Sequence, residues 1–163
     1  MAKDKVSSTE KKLGRYAKKI ERYGDRATDI LSQLSQSAYR LKSPTGFEGN
    51  SSREVKLLEK NTEKLRRLVR KICVYLSLIS EILPYDLRPK YVQESKEFKA
   101  EPLYLAKELE NSVYSIIAFM GHLNLMNRLI TAIDKAIQLC KQTTKWSYGA
   151  LVRSREIERR AKS

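Results

Sequence analysis

The sequence has few of the residues from which catalytic and metal sites are usually built. Its 163 residues include one histidine, His122, and two cysteines, Cys73 and Cys140. A histidine-based metal site or a Ser–His pair is hard to build around a single imidazole. The chain also has no Cys-x-x-Cys, Glu-x-x-His or glycine-rich phosphate-binding motif. We therefore expect a non-enzymatic protein that uses no metal or other cofactor.

The sequence also has no long apolar segment. The longest charge-free run, residues 111–127, has 17 residues and contains Asn, Ser, Gly and His, so it is too short and too polar to span a bilayer. Residues 1–12 lack the apolar stretch of a signal peptide. Cys73 and Cys140 lie in apolar runs, which predicts buried free thiols unless the fold brings the two together. We expect an intracellular protein in a reducing compartment, in the cytoplasm, nucleoid or nucleus, or inside a virus-like or ribonucleoprotein assembly.

Glycine and proline are scarce, with six and four residues, and 41% of the chain is hydrophobic, which favours long helices. The sequence Ser7-Ser8-Thr9-Glu10 is typical of a capping box and predicts a first helix to about Leu41, with a coiled-coil-like apolar seam. The first half of this seam has Ala and Gly where Leu is expected, so it is either weakly held or allows a close approach of a second helix. The sequence from Ser51 to Glu54 repeats the box and predicts a second helix to about Leu83.

The longest periodic segment runs from Pro102, which suits a first helical turn, to about Gln142, and predicts the axial helix of the bundle. Within it we interpret Gly121 as a close helix crossing. Residues 84–101 form a long connection that holds a short helix near 92–98 or carries function.

We therefore predict one all-α domain, an elongated antiparallel bundle of three long helices. A segment at 146–152 either extends the axial helix or forms a short fourth, C-terminal helix. Residues 43–50 are expected to be a loop, and basic tails are expected at 1–6 and at about 153–163.

The strongest compositional feature is positive charge. The chain has 33 Lys and Arg against 19 Asp and Glu, a net charge of +14. Residues 1–42 have 11 basic and 5 acidic residues, net +6, whereas residues 84–144 have 8 and 7, net +1. Residues 145–163, with 6 and 2, contribute net +4. An excess of this size is typical of proteins with anionic partners, although a basic surface that only aids solubility is the alternative.

The basic residues recur at helical spacing on the two helices and in the tail. The predicted nucleic-acid-binding residues are Lys11, Arg15, Lys18, Arg22 and Arg26 on the first helix, Lys60, Lys64, Arg67 and Lys71 on the second, and Arg153, Arg155, Arg159 and Arg160 in the tail. Cations three or four residues apart share one helix face, where each can meet a phosphate. We predict a structural, packaging or ribonucleoprotein subunit that binds DNA or RNA with little sequence specificity, and that associates with itself or with other protein subunits.

One feature weighs against this hypothesis: acidic neighbours can neutralise the stripes, as Glu63 can at Arg67.

Aromatic residues beside cations favour the hypothesis, since bases stack on such rings. For Tyr16 and Tyr23 base stacking and partial burial are equal alternatives, whereas Tyr75 and Tyr114 lie in apolar context and are expected to be partly buried.

A helical scaffold that binds partner helices through the Ala/Gly seam or through 84–101 is the alternative function. Binding to an anionic membrane surface ranks last, because the first helix has small residues where a membrane helix has bulky ones.

Overall fold

The structure, a computed structural model, describes residues 7–42 and 51–162 and contains four long helices. They are α1 (Ser8–Lys42), α2 (Ser51–Ile82), α3 (Val92–Met120) and α4 (Met126–Lys162), with a single 3₁₀ turn at Leu123–Leu125 before α4. The all-α bundle expected from the sequence is confirmed, but the fourth helix is long and not short. No helix in the described part of the chain is long and apolar enough to cross a membrane.

The four helices form an antiparallel ring. Helix α1 packs against α2 and α4, and α3 packs against the same two, so α1 and α3 lie diagonally across the bundle. Cross-contacts show the directions: Arg40, at the end of α1, pairs with Glu54 in the first turn of α2 at 3.3 Å. Likewise Ser80, late in α2, donates to the carbonyl of Lys99, early in α3, at 2.6 Å. Each helix therefore buries its apolar side in a shared core and leaves an outer face to solvent.

The first helix is the closest match between sequence and structure. Its predicted seam is buried, and the backbone N–H of Glu10 donates to the hydroxyl of Ser7 at 3.1 Å, as an N-cap requires. The small residues of the seam permit the close approach to α4 that the sequence indicated. At Gly24, a Cβ would stand 3.2 Å from Oγ1 of Thr144.

The predicted axial helix from Pro102 to about Gln142 is wrong as a single element. The chain turns at Gly121, which ends α3, and α4 runs back antiparallel. A continuous helix from Val92 to Lys162 would be about 105 Å long, twice the length of α1, and half of its apolar face would have no neighbour to cover it. Glycine is about 1 kcal/mol less favourable than alanine inside a helix. Gly121 is therefore the position in this segment at which a helix ends most readily. The interpretation of Gly121 as a helix crossing is therefore also wrong.

The start of α3 lies earlier than expected. The short helix that the sequence suggested near 92–98 is its first part, and Pro102 lies inside the helix instead of opening it. Proline removes one backbone hydrogen bond there. Burial of Ser95, Phe98 and the Pro102 ring holds this part of α3 against the core.

The predicted C-terminal tail is a helix. Residues 153–162 continue α4, because Ser154 and Ile157 lie in the core at 2% and 4% exposure. The predictions for residues 1–6, 43–50 and Ser163 lie outside the described residues.

Cys73 and Cys140 are both free and buried, as expected. Burial disfavours the thiolate and raises the pKa of each thiol to about 12. Cys140 is close enough to Cys73 to contribute to its raised pKa, although burial and Glu110 contribute more. Both thiols therefore remain protonated in the folded protein, where burial disfavours the reactive thiolate.

Candidate nucleic-acid interface

The stripe on α1 lies on the outer face of the bundle. Its five residues, Lys11, Arg15, Lys18, Arg22 and Arg26, are all exposed, and the seam that faces the core lies opposite. Within the described residues none of them forms an ion pair. From Lys11 to Arg26 the stripe extends about 22 Å along a straight helix. This is a row of solvated cations, with one exposed acid, Asp25, beside its C-terminal end.

Two of the acidic residues beside this stripe are bound by α4. Glu10 forms an ion pair with Arg155, and Glu21 accepts a hydrogen bond from the hydroxyl of Tyr148. The pKa of Tyr148 is raised because the phenol already donates to the Glu21 carboxylate. Asp25 and Asp29 remain exposed further along α1. The positive field is therefore strongest over the N-terminal half of the helix.

The stripe borders two shallow grooves between α1 and α4. One, of about 520 Å³, is lined by Lys11, Arg15, Lys18 and Arg22 from α1 and by Leu151 and Arg155 from α4. The adjoining one, of about 550 Å³, is lined by Lys18, Arg22, Arg26, Glu21, Asp25 and Tyr148. Both are open to solvent, so they can accommodate a chain lying along the helix but not an enclosed small molecule.

Three tyrosines meet on the other side of α1, where it contacts α2. Tyr75 lies 5.7 Å from Tyr16 and 6.0 Å from Tyr23 between ring centroids, and Lys71 sits 5.3 Å from the centre of the Tyr23 ring. All three rings are half-buried. Because they pack against one another, little ring face remains for a nucleic-acid base. The expectation of partial burial is confirmed for Tyr75, which is half-buried, and is wrong for Tyr114, which is 64% exposed on α3.

The α2 stripe lies on the helix next to α1. Lys60, Lys64, Arg67 and Lys71 are exposed. Arg67 pairs with Glu63 at 3.5 Å, as the spacing indicated, and Lys71 reaches across to α1 at the tyrosine cluster. Because α1 and α2 are antiparallel and Arg40 pairs with Glu54, the two stripes meet only at Lys71, and the other three cations lie alongside the part of α1 that follows Arg26.

The arginines near the end of α4 are bound within the protein. The guanidinium of Arg153 binds Glu101 at 2.9 Å and stacks 4.0 Å from the centre of the Phe98 ring. Trp146 donates to the same carboxylate at 2.7 Å. Together with the Arg155–Glu10 pair, these contacts hold α4 against both of its neighbours.

Arg160 belongs to a second cluster, at the start of α3. Its guanidinium lies 3.7 Å from the centre of the Tyr91 ring and within 3.6 Å of Asp86 and 3.3 Å of Glu94. Asp86 also binds Arg88 at 2.7 Å, and this hydrogen-bonded pairing lowers the pKa of the carboxyl to about 2. Of the four predicted tail arginines, Arg159 is the one that is exposed and forms no ion pair with a described residue.

The charge of the bundle is divided unequally among its helices. Counting Lys and Arg against Asp and Glu gives 9 and 4 for α1, 8 and 4 for α2, and 9 and 3 for α4, or net +5, +4 and +6. Helix α3 has 3 and 5, net −2. The acidic character of α3 is hidden when the charges of residues 84–144 are counted together, because α3 is then averaged with the first part of α4. The glycine at position 121 is the sequence signal that separates the two helices.

A cleft of about 420 Å³ separates α3 from α4 near the turn that joins them. Its walls combine apolar residues, Phe119 and Ala132, with polar ones, among them Glu108 and Asn111 on one side and Arg128 and Lys135 on the other. The two cations and Asn111 are exposed. A small-molecule pocket usually encloses its polar groups, and the charged side chains here are solvated.

Comparison of the chain with protein-family models, curated proteins and solved structures gives no match, so its function is inferred from the geometry of the molecule alone.

Proposed function

We propose that this protein binds nucleic acid without sequence specificity, through phosphate contacts made by the outer face of α1 and, more weakly, by the neighbouring face of α2. The observation that carries the proposal is the α1 stripe of five exposed cations, Lys11, Arg15, Lys18, Arg22 and Arg26, which form no ion pair within the described residues. DNA has one negative charge per about 1.7 Å of duplex axis. A row of cations about 22 Å long therefore meets several phosphates at once.

The arrangement favours contacts with the backbone over contacts with the bases. Sequence is read mainly by side chains that reach the base edges in a groove, and bases are also contacted, without reading of sequence, by exposed rings on which they stack. The stripe lies along the side of a helix that is packed into a bundle. The ring of Tyr75 packs against the rings of Tyr16 and Tyr23. Phosphate contacts alone predict similar affinities for different sequences and strong dependence on salt.

The test is fluorescence anisotropy with labelled single- and double-stranded DNA and RNA at increasing salt concentration. We expect binding with a slope of about −4 to −5 in log K against log salt, as five phosphate contacts give. Changing Lys11, Arg15, Lys18, Arg22 and Arg26 to Gln should abolish it. The matched control removes five exposed cations elsewhere, by changing Lys56, Lys90, Lys96, Arg128 and Lys135 to Gln.

The control variant has the same net charge as the α1 variant and should retain most of the affinity. Equal loss in both would show that net charge alone attracts the polyanion and would contradict a defined surface. Absence of binding by the unchanged protein at low salt would refute the proposed function.

A scaffold is the second candidate function, and the outer face of α3 favours it. The surfaces first suggested for partner binding are partly occupied, because the Ala/Gly seam is buried against α4 and residues 92–101 form the start of α3. Residues 84–91 lie between the helices, with Tyr85 39% and Leu87 78% exposed. On α3, however, Leu103, Tyr104 and Tyr114 are at least half exposed. Capture of another protein by this face, with no affinity for polyanions, would favour the scaffold.

A further inference from the structure

The largest concentration of exposed apolar side chains lies on and around α3. Twelve large hydrophobic residues are exposed in the described part of the chain, and seven of them fall between Tyr85 and Leu123. On α3 itself they are Leu103, Tyr104, Tyr114 and Ile117, exposed at 50%, 64%, 64% and 38%. Clustered exposed apolar residues are typical of protein interaction sites. We propose that the outer face of α3 is a homodimer interface that pairs α3 with α3 of a second copy, antiparallel across a two-fold axis.

Electrostatics favours a second copy at this face. Helices α1, α2 and α4 are strongly basic, so two copies repel each other when these faces meet, whereas α3 has a net charge of −2. Near its centre the outer face of α3 exposes one cation, Lys107, and one anion, Glu110. Glu110 also borders a groove that it shares with Arg66 and Arg70 of α2. A two-fold interface places the same surface against itself, and it therefore requires a surface that is complementary to its own copy.

The spacing of residues on α3 provides this self-complementarity. In an antiparallel pair whose two-fold axis passes between residues 108 and 109, Lys107 lies opposite Glu110 of the second copy. In the same register Leu103 lies opposite Tyr114 and Ala100 opposite Ile117, since each pair is symmetric about the same point. All of these residues are exposed at 3- or 4-residue spacing on one side of the helix. Because each pair occurs twice by symmetry, this single register forms two ion pairs and four apolar contacts.

The dimer would have a consequence for nucleic-acid binding. Because α1 lies diagonally opposite α3 in each bundle, pairing through α3 directs the two α1 faces outward, on opposite sides of the dimer. Such a dimer can bridge two nucleic-acid segments. This consequence rests on the proposed function, whereas the dimer itself does not.

The dimer is tested without nucleic acid, by sedimentation equilibrium. We expect the unchanged protein to reach twice the 18.9 kDa of one chain at micromolar concentration. Tyr114→Glu should raise the dissociation constant at least tenfold, and the control Tyr39→Glu, an equally exposed tyrosine on α1, should not. A monomer up to 100 µM, or equal effects of the two changes, would overturn the interface.

Charge variants test the register. Lys107→Glu and Glu110→Lys should each give a monomer alone, because like charges then face each other across the axis. A mixture of the two variants should form heterodimers, since opposite charges meet again. Dimerisation of each variant alone as strong as that of the unchanged protein would contradict the antiparallel pairing.

Bridging is tested by capture of a fluorescent duplex on beads that hold a second, unlabelled duplex. The unchanged protein should retain the fluorescent duplex on the beads. The Tyr114→Glu variant should bind the bead-bound duplex and the fluorescent duplex in separate experiments, but it should not retain the fluorescent duplex on the beads. If the dimer binds DNA in the anisotropy experiment but does not bridge, the outward placement of the α1 faces is wrong. If it dimerises and binds no nucleic acid, the proposed function fails and the interface stands.

Discussion

Gly24 of α1 lies directly against Thr144 of α4: a Cβ added at Gly24 would be 3.2 Å from Oγ1 of Thr144 and 3.9 Å from the carbonyl oxygen of Cys140. A Cβ here would require Thr144 to shift by a few tenths of an ångström, so glycine allows α1 and α4 to approach closely at this point. The α1 stripe and the grooves beside it are positioned by this approach, because both are formed by the sides of these two helices.

Replacing Gly24 with a large side chain should therefore separate α1 from α4. We expect Gly24→Leu to lower the free energy of unfolding by about 1–3 kcal/mol, the usual effect of overpacking. Gly14→Leu is the control, since a Cβ at Gly14 meets nothing within 4 Å and Leu favours a helix over Gly by about 1 kcal/mol. Urea unfolding followed by circular dichroism measures both, and a stability of Gly24→Leu equal to that of Gly14→Leu would contradict close packing here.

The carboxylate of Asp86 should make the protein sensitive to acid. Its hydrogen bond with Arg88 lowers its pKa from 3.8 to about 2. The unfolded state therefore takes up the proton first as the pH falls, and the stabilisation by Asp86 is fully present above about pH 4 and lost between about pH 4 and 2. Asp86→Asn should be less stable than the unchanged protein at pH 6, with a difference that shrinks towards pH 2.

The control for this experiment is Asp29→Asn, since Asp29 is exposed on α1 and forms no ion pair with a described residue. It should change stability at pH 6 far less than Asp86→Asn. A difference between the unchanged protein and Asp86→Asn that stays constant from pH 6 to pH 2 would refute the role of the ionised carboxylate.

The two buried thiols should be unreactive in the native protein. With pKa values raised to about 12, Cys73 and Cys140 remain protonated at pH 8, and the thiolate is the reactive form. A chromogenic disulfide reagent should therefore label them at least a hundredfold more slowly in buffer than in denaturant. Rapid labelling of two thiols in the folded state would contradict their burial.

The same pKa values predict a loss of stability at high pH. The unfolded thiols ionise near 9, and the folded ones only near 12. Unfolding therefore releases protons between pH 9 and 12, and the free energy of unfolding falls as the pH rises through this range. Changing both cysteines to Ala should make the decrease between pH 9 and 11 shallower.

Two buried serines allow a direct measurement of how much a buried hydroxyl without a hydrogen bond lowers the free energy of unfolding. Ser37 and Ser147 are both 1% exposed, but Ser147 donates to the carbonyl of Thr143 at 2.8 Å, whereas Oγ of Ser37 has no partner in the described structure. Ser37→Ala should raise the free energy of unfolding by about 1 kcal/mol, because it removes a buried polar atom that is not hydrogen-bonded. Ser147→Ala should gain less or lose stability. Denaturant titration measures the free energy of unfolding of both variants. Equal changes in this free energy would contradict the proposed difference between the two hydroxyls.

The local features of the chain follow from its sequence. Periodic apolar residues place the buried side of α1 and α2, the hydroxyl of Ser7 caps α1, and the 3- and 4-residue spacing puts Lys11, Arg15 and Lys18 on an outer face. These depend on residues within one or two turns of each other, so the pattern alone is sufficient to predict them.

The tertiary structure decided the rest. The break at Gly121 could not be read from periodicity, because α3 and α4 bury the same pattern in one core and the pattern continues through the turn. It is the pairing of helices, set by packing against α1 and α2, that separates the acidic α3 from the basic α4. The same packing places Arg153 and Arg160 on partners more than 50 residues away in the chain. Which cations remain solvated depends on such distant partners, and spacing along one helix carries no information about them.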